Sequence, residues 1–184
     1  MSAQIALLRG VMPTGRTRVP MAELRAVLTA LGFEGVATYI ASGNAVFRAP
    51  GGPAGAEREA LLEREIARAI GPELDVMVRT PEQWAAALAA NPFPEDAVER
   101  PSKLLVTALK GTPGEEAARA FEALATGKDK CRVIGDIAYQ VFVDAQSLKA
   151  YTPAAYKRLG FRGTGRNWNT SVKLLEMARA LGGG

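Results

Sequence analysis

The sequence predicts an α+β protein made of two ferredoxin-like (split β-α-β) halves, with antiparallel sheets and an extra C-terminal helix. Three observations lead to this prediction. The first half, residues 1–98, follows a β-α-β-β-α-β order, and nearly the same order restarts in residues 99–184. A proline-rich stretch from Asn91 to Pro101 separates them. With 48% apolar and 23% charged residues, the chain is able to bury a sizeable core.

Elements of the first half follow from apolar runs and helical spacing. Short apolar runs bounded by turn residues indicate strands, and apolar residues three or four positions apart indicate helices. Thr80 and Gln83 form a capping box, which predicts a helix start. The predicted order is a strand at 5–8, a helix from 20 to 32, a hairpin of 36–40 and 44–48, a helix near 62–70, a strand at 74–78 and a helix from 80 to 90.

The second half repeats this pattern with one strand fewer. A second capping box is predicted at Thr112 to Glu115, and the pair Gly135-Asp136 predicts a two-residue hairpin turn. Residues 162–170 are rich in glycine and are interpreted as a loop. The predicted order is a strand at 103–109, a helix after 115, a hairpin of 131–134 and 137–143, a helical stretch at 147–159 and a helix at 170–181.

Composition excludes several classes of function. The sequence has no histidine, which removes the imidazole base of a Ser or Cys triad and every His metal ligand. One cysteine, Cys131, excludes an intramolecular disulfide and thiolate metal cages. We therefore expect no metal and no cofactor. No signal peptide core or membrane span is recognisable, so a cytoplasmic location is expected, in agreement with a single cysteine.

Charge is distributed unevenly along the chain. Residues 1–22 and 145–175 together carry nine basic side chains and no acid, whereas the remainder has a net charge of −5. Both segments contain Gly/Arg-rich stretches that run toward helix starts. Exposed backbone N–H groups, positive charge and room for close approach favour an anion site there. The alternative for a charge cluster is a solvated basic face.

These stretches and the turn at Ser42 supply the candidate ligand-binding residues. Asn167, Asn169 or Thr170 is alternatively an N-cap, and Trp168 is alternatively a packing anchor. The candidates are Arg9, Gly10, Arg16, Arg18, Ser42, Asn44, Arg162, Arg166, Asn167, Trp168, Asn169 and Thr170.

A family resemblance rests on several short motifs taken together. They are Ala6-Leu7-Leu8-Arg9-Gly10, Pro20 to Arg25, Leu31-Gly32-Phe33, Thr38 to Asn44 and Arg166 to Thr170. In combination they resemble the bacterial domain of unknown function 1697 family over nearly the whole chain. The resemblance implies a compact α/β protein with ferredoxin-like halves, and it implies no activity. Val11-Met12-Pro13 and Ala41 depart from the family pattern, so no role of those positions is carried over.

The sequence is compatible with three functions and with a homodimer. The first is a module that binds a small phosphate- or carboxylate-bearing ligand between the loops 9–18 and 162–170. The second is RNA binding, with strand aromatics Phe47, Tyr139 and Phe142 as stacking candidates. The third is a histidine-independent enzyme, whose candidate groups are Tyr39, Tyr139, Asp136, Asp144, Lys173 and Cys131. A homodimer formed through open sheet edges is also expected.

Overall fold

A computed structural model describes residues 1–182, which form two compact units. One unit contains residues 1–85 and 173–182, and the other contains residues 86–172. The predicted α+β class with two antiparallel, ferredoxin-like sheets is confirmed. The elements of the first unit are β1 (Ser2–Leu8), α1 (Met21–Ala30), β2 (Glu34–Thr38), β3 (Asn44–Ala49), α2 (Ala56–Ile70), β4 (Val76–Arg79) and the start of α3 (Pro81–Ala89).

The first sheet has the order β2-β3-β1-β4, with every neighbouring pair antiparallel. One face of this sheet packs against α1 and α2. Leu24 and Leu28 of α1 meet Leu62 and Ile66 of α2 above the strands, and all four are essentially inaccessible to solvent. Phe33 adds a ring stacked on Phe47 of β3, with centroids 4.6 Å apart. Burial of these apolar side chains stabilises the unit.

The second unit repeats the arrangement. Its sheet has the order β6-β7-β5-β8, again antiparallel throughout. Phe121, Ala155 and Leu159 from two helices cover one face. The elements are α4 (Pro94–Glu99), β5 (Leu104–Leu109), α5 (Glu115–Glu122), β6 (Lys130–Ile134), β7 (Ile137–Val141), a 3-10 turn (Leu148–Ala150), α6 (Pro153–Leu159), β8 (Gly163–Asn167) and α7 (Trp168–Gly182).

Strand β8 corrects the prediction of a loop over residues 162–170. It pairs with β5, and Gly165 lies opposite Thr107. A Cβ on Gly165 would come within 2.8 Å of Thr107 Oγ1, and one on Gly163 within 2.6 Å of Leu109 Cδ2. Glycine is therefore favoured here because a Cβ would force these neighbouring side chains to shift, and not because of a turn. With β8 added, the second unit has the same β-α-β-β-α-β order as the first.

Helix starts agree with the prediction in one place and differ in another. In the box before α3, Gln83 N donates to Thr80 Oγ1 at 3.2 Å and Thr80 N donates to Gln83 Oε1 at 2.9 Å. The prediction of a second capping box at Thr112 to Glu115 is wrong. Helix α5 begins at Glu115 after Gly114, and no side chain caps it. The predicted helix over 147–159 is broken, since Thr152 begins a new helix by accepting the N–H of Ala155 at 3.2 Å.

The boundaries between the two units lie after residues 85 and 172, whereas the sequence predicts one division between 98 and 99. The proline-rich stretch contains α4, which was missed because prolines were interpreted only as chain breakers. Pro94 instead occupies the first helical position, where its missing N–H costs nothing. Helix α7 carries the chain from the second unit into the first.

Two sheet edges are covered by carboxylates from neighbouring helices. At β4, Val76 N donates to Glu63 Oε1 at 2.8 Å and Val78 N donates to Glu59 Oε1 at 2.9 Å. At β6, Val133 N donates to Glu122 Oε1 at 2.8 Å. These acceptors occupy amides that would otherwise pair with another strand. Among residues 1–182, none of the helices combines the length and apolar character that a membrane crossing needs.

Candidate functional site

In the first unit, the candidate residues converge on the end of β1. Leu8 N donates to Gly43 O at 2.8 Å, and Arg9 N donates to Asp75 O at 2.9 Å. The loop that follows β1 thus begins against the turn between β2 and β3 on one side and the residue before β4 on the other. Arg9 and Gly10 therefore share one corner of the unit with the turn of residues 42–44.

That turn is held by Asn44, whose side chain is fully buried. Its Nδ2 donates to Tyr39 O and to Ser42 Oγ, each at 3.0 Å. Gly43 has φ +80°, and a Cβ there would come within 2.7 Å of Leu8 Cβ and of a Val11 methyl. Ser42 and Asn44 consequently shape the turn, and Gly43 permits its close contact with the start of the loop.

Three cationic side chains accompany this corner. Arg9 is about one-third exposed and its NH1 lies 3.4 Å from Asp75 Oδ2. Arg16 and Arg18 are exposed, and within residues 1–182 neither takes part in an ion pair. The loop between them and Gly10 is ordered by its own backbone, since Met12 N donates to Thr17 O at 3.3 Å and Arg18 N donates to Gly15 O at 3.2 Å.

The candidates of the second unit surround the junction of β8 and α7. Arg166 is 8% exposed, and its NH1 donates to Thr164 Oγ1 at 2.8 Å and to Gly165 O at 2.9 Å. Burial lowers the pKa of Arg166 to about 10, so the guanidinium stays protonated at neutral pH. Arg166 is thus a buried cation with partners inside its own strand.

Asn167 acts as the N-cap of α7, as the alternative interpretation expects. Its Oδ1 accepts the N–H of Thr170 at 2.9 Å. Trp168 N donates to Pro101 O at 3.1 Å, and Asn169 is exposed. Arg162 lies just before β8, where its carbonyl accepts the N–H of Lys110 at 3.0 Å. The Asn167 cap thus joins the end of β8 to α7, and the bond from Lys110 anchors the start of β8.

The nucleophiles considered for an enzyme are held in their protonated forms. Burial raises the pKa of Cys131 to about 12, against the opposing effect of the nearby Tyr151 hydroxyl. Burial also raises the pKa of Tyr139 to about 12, with a further contribution from Asp136, and its hydroxyl donates to Ala87 O at 2.6 Å. Neither side chain supplies an anionic nucleophile at neutral pH.

The remaining catalytic candidates take part in structural contacts or form part of a turn. Lys173 Nζ lies 3.3 Å from Glu176 Oε2, and Asp144 N donates to Asp129 Oδ1 at 3.2 Å. Asp136 belongs to the two-residue turn between Ile134 and Ile137. Tyr39 is half-buried, with its backbone N–H and C=O both bonded to Asn44. In residues 1–182, no group of three or more acidic or cysteine side chains is placed to hold a metal ion.

The strand aromatics give no support to base stacking. Phe47 is fully buried under Phe33, and Tyr139 is 1% exposed. Phe142 packs edge-on against Tyr151, with ring centroids 5.6 Å apart. Stacking a base requires an exposed ring on the sheet surface. Phe47 and Tyr139 belong instead to the cores of the two units, and the half-buried Phe142 follows the end of β7.

Sequence reasoning missed two residues of the first-unit corner. Asp75 becomes a neighbour of Arg9 only through the pairing of β1 with β4, and Val11 contacts Gly43 only through the pairing of β1 with β3. For Asp75 the only sequence signal was an acid within the predicted strand at 74–78. Val11 carried no signal, since it departs from the family pattern.

Comparisons with known proteins identify the chain's relatives. No curated protein matches the sequence. A solved structure, that of the conserved bacterial protein SP0830 from Streptococcus pneumoniae, is 24% identical with a TM-score of 0.72, over 96% of this chain and 98% of that one. This similarity shows a shared fold. The model of the family described as "Protein of unknown function (DUF1697)" matches residues 1–139, which confirms the resemblance, and the chain belongs to this family.

Proposed function

We propose that the protein binds a small phosphate- or carboxylate-bearing anion at the loop between β1 and α1. The observation that carries this proposal is the state of Arg16 and Arg18. Both are exposed and neither has an ion-pair partner within residues 1–182, whereas Arg64 and Arg68 on α2 share Glu65. Two guanidinium groups two positions apart offer charge-assisted hydrogen bonds to one anion.

The backbone of the loop leaves room for the ligand. Gly10 and Gly15 have φ +74° and +85°, and a Cβ on either would meet nothing within 4 Å. A positive φ at glycine is one half of an anion-binding nest, in which a left-handed residue beside a right-handed one turns successive N–H groups to one side. An anion is thus able to approach the main chain at both glycines while the arginine side chains neutralise it.

The candidate residues of the first unit each have a role in this proposal. Arg16 and Arg18 contact the anion, and Gly10 keeps the backbone accessible. Arg9, held by Asp75, and the Ser42–Asn44 turn position the loop. In the second unit the candidates form the framework of the β8–α7 junction, with the buried Arg166 and the cap Asn167 at its centre.

Thermal unfolding with inorganic phosphate, pyrophosphate or citrate tests this function. A ligand that binds only the folded state, at about 100 times its Kd, stabilises it by about 2.7 kcal/mol. For a chain of this size that corresponds to an increase in Tm of about 5–10 °C. We expect at least one of the three anions to give such a shift, and the double variant Arg16→Gln/Arg18→Gln to lose it.

The matched control is Arg25→Gln/Arg64→Gln, which removes the same charge from the helix surfaces of the same unit. This variant should keep the anion-induced shift. No shift with any of the anions, or equal loss in both double variants, contradicts the proposal. Salt-sensitive retention of RNA that depends on Arg16 and Arg18 would instead support the RNA-binding alternative.

A further inference from the structure

Each unit contains a surface groove between its two packed helices. In the first unit the groove between α1 and α2, here called the first groove, has a volume of about 250 Å³. In the second unit the groove between α5 and α6, the second groove, has a volume of about 230 Å³. Both units have the same β-α-β-β-α-β order, so the two grooves occupy equivalent positions in the repeated fold.

In the first groove, the charge of the Arg68 side chain is neutralised by Glu65. Val27, Leu31 and Ala69 give it apolar walls, and Glu65 and Arg68 are its charged lining residues. Arg68 NH2 lies 2.8 Å from Glu65 Oε2. Hydrogen bonds from Arg68 and Arg64 lower the pKa of Glu65, so the carboxylate remains ionised and the pair is complete. This groove offers no net charge to a ligand.

The second groove has similar walls and a different charge. Phe121, Leu124, Ala155 and Leu159 line it, and among residues 1–182 Arg158 is the one charged residue of the lining. Arg158 is exposed, and within residues 1–182 it makes no ion pair. It also lies in the acid-free segment 145–175. The acids Glu115 and Glu122 of α5 are engaged elsewhere, with Arg119 at 2.9 Å and with Val133 N at 2.8 Å.

The dimensions and charge of the second groove select a ligand class. A dry apolar cavity of roughly 150 Å³ is large enough for benzene, so the second groove accommodates an apolar group somewhat larger than that. A carboxylate at its rim would receive charge-assisted hydrogen bonds from a guanidinium. We propose that the second groove binds a small monocarboxylate, with its apolar part against Phe121 and Leu159 and its carboxylate on Arg158.

This site belongs to the second unit, whereas the loop of Arg16 and Arg18 belongs to the first. It takes a different ligand, because Arg158 is the charged member of an otherwise apolar lining. A ligand of this site must have both an apolar tail and a negative charge. Hexanoate should bind, whereas 1-hexanol lacks the charge and acetate lacks the tail. The first groove, with its Glu65–Arg68 pair, serves as the internal comparison.

The experiment is a titration of the full-length, ¹⁵N-labelled protein with hexanoate, 1-hexanol and acetate, followed by amide chemical shifts. We expect hexanoate to shift the amides of Ala120 and Ala155 in a saturable way, and the other two to bind at least about tenfold more weakly. Arg158→Gln should weaken hexanoate binding about tenfold, which is the loss expected for one charge-assisted contact. Arg68→Gln should leave hexanoate binding unchanged.

A second variant tests the apolar part of the site independently of its charge. Ala120→Leu places a larger side chain at an exposed position of the groove and should abolish hexanoate binding while the Tm stays near that of the parent. Equal affinity for hexanoate and 1-hexanol, an unchanged affinity in Arg158→Gln, or shifts confined to α1 and α2 would each overturn the proposal. The variant Arg16→Gln/Arg18→Gln should bind hexanoate as the parent does, even where it has lost phosphate binding.

Discussion

Asp129 holds Ser147 by two hydrogen bonds to the same carboxylate oxygen, from the backbone N at 2.9 Å and from Oγ at 2.6 Å. Its other oxygen accepts the N–H groups of Asp144 and Ala145, each at 3.2 Å. Ala145 has φ +57°, a conformation that is costly for a residue with a Cβ. One buried carboxylate thus fixes the strained turn that leads from β7 toward α6.

Replacing Asp129 by Asn should therefore destabilise the protein. The amide keeps one acceptor oxygen but turns an NH₂ group toward N–H donors, so at least one charge-assisted bond is lost and a donor is left unsatisfied. We expect the free energy of unfolding in urea to fall by about 2–3 kcal/mol. Glu116→Gln removes the same charge from an exposed position of α5 and should change it by less than about 0.5 kcal/mol. Equal effects would show that net charge, not the turn, is responsible.

The same carboxylate predicts a dependence of stability on pH. Burial alone would raise the pKa of Asp129, but hydrogen bonds from Ser147 and from the Asp144 amide outweigh it and lower the pKa to about 2. Because the folded pKa lies below the unfolded value of about 4, the stabilisation is complete above pH 4 and is lost as the pH falls toward 2. Urea titrations should show the difference between the parent and Asp129→Asn shrinking over this range. A difference that stays constant would contradict the pKa assignment.

Local sequence patterns were sufficient for two elements that are stabilised by their own residues. The turn Gly135-Asp136 joins β6 to β7 as predicted, and Thr80 and Gln83 cap α3 reciprocally. Strand β8 could not be predicted, because Gly163 and Gly165 disfavour a strand locally. They become strand residues only where β5 supplies the hydrogen-bonded partner and leaves no room for a Cβ.

Prediction of the candidate site was limited by long-range pairing. Arg9-Gly10 and the Ser42–Asn44 turn were identified separately, and only the β1–β3 register brings them together. The same limit applies to Arg166, whose burial reflects its position opposite Val106 of the central strand β5. The pattern of a basic, glycine-rich segment is the same in an open loop and in a buried strand, so the sequence does not distinguish them.

Gly43 should tolerate alanine much less well than Gly15. Both have positive φ, at +80° and +85°, so each substitution strains the backbone by about 1 kcal/mol. At Gly43 the new Cβ would also come within 2.7 Å of Leu8 and Val11, which adds about 1–3 kcal/mol of overpacking. Urea unfolding of Gly43→Ala should therefore show a loss of about 2–4 kcal/mol, against about 1 kcal/mol for Gly15→Ala. Similar losses at the two positions would contradict the close contact at the corner.

Cys131 should be unreactive in the folded protein. Since burial raises the pKa of the thiol to about 12, the thiolate is a minute fraction at pH 8. We expect a disulfide reagent to modify Cys131 at least about 100-fold more slowly in the native state than in urea. Lys128→Cys in a Cys131→Ser background places a thiol at an exposed position of the same unit and should react rapidly without urea. Rapid native modification of Cys131 would contradict the protection that its half-buried position against the apolar core of the second unit provides.

Glu63 should stabilise the first sheet through its acceptor oxygen rather than its charge. Its Oε1 accepts the outward N–H of Val76 at 2.8 Å, on a strand edge that has no further strand beside it. Glu63→Ala leaves this partly buried amide without its acceptor, so the free energy of unfolding should fall by about 1–2 kcal/mol. Glu63→Gln keeps a carbonyl oxygen in the same place and should lose less than half as much. Because an uncovered edge favours pairing with a second chain, light scattering of Glu63→Ala should also show more self-association than Glu63→Gln. If Gln and Ala lose equal stability, the carboxylate charge rather than edge coverage is what β4 requires.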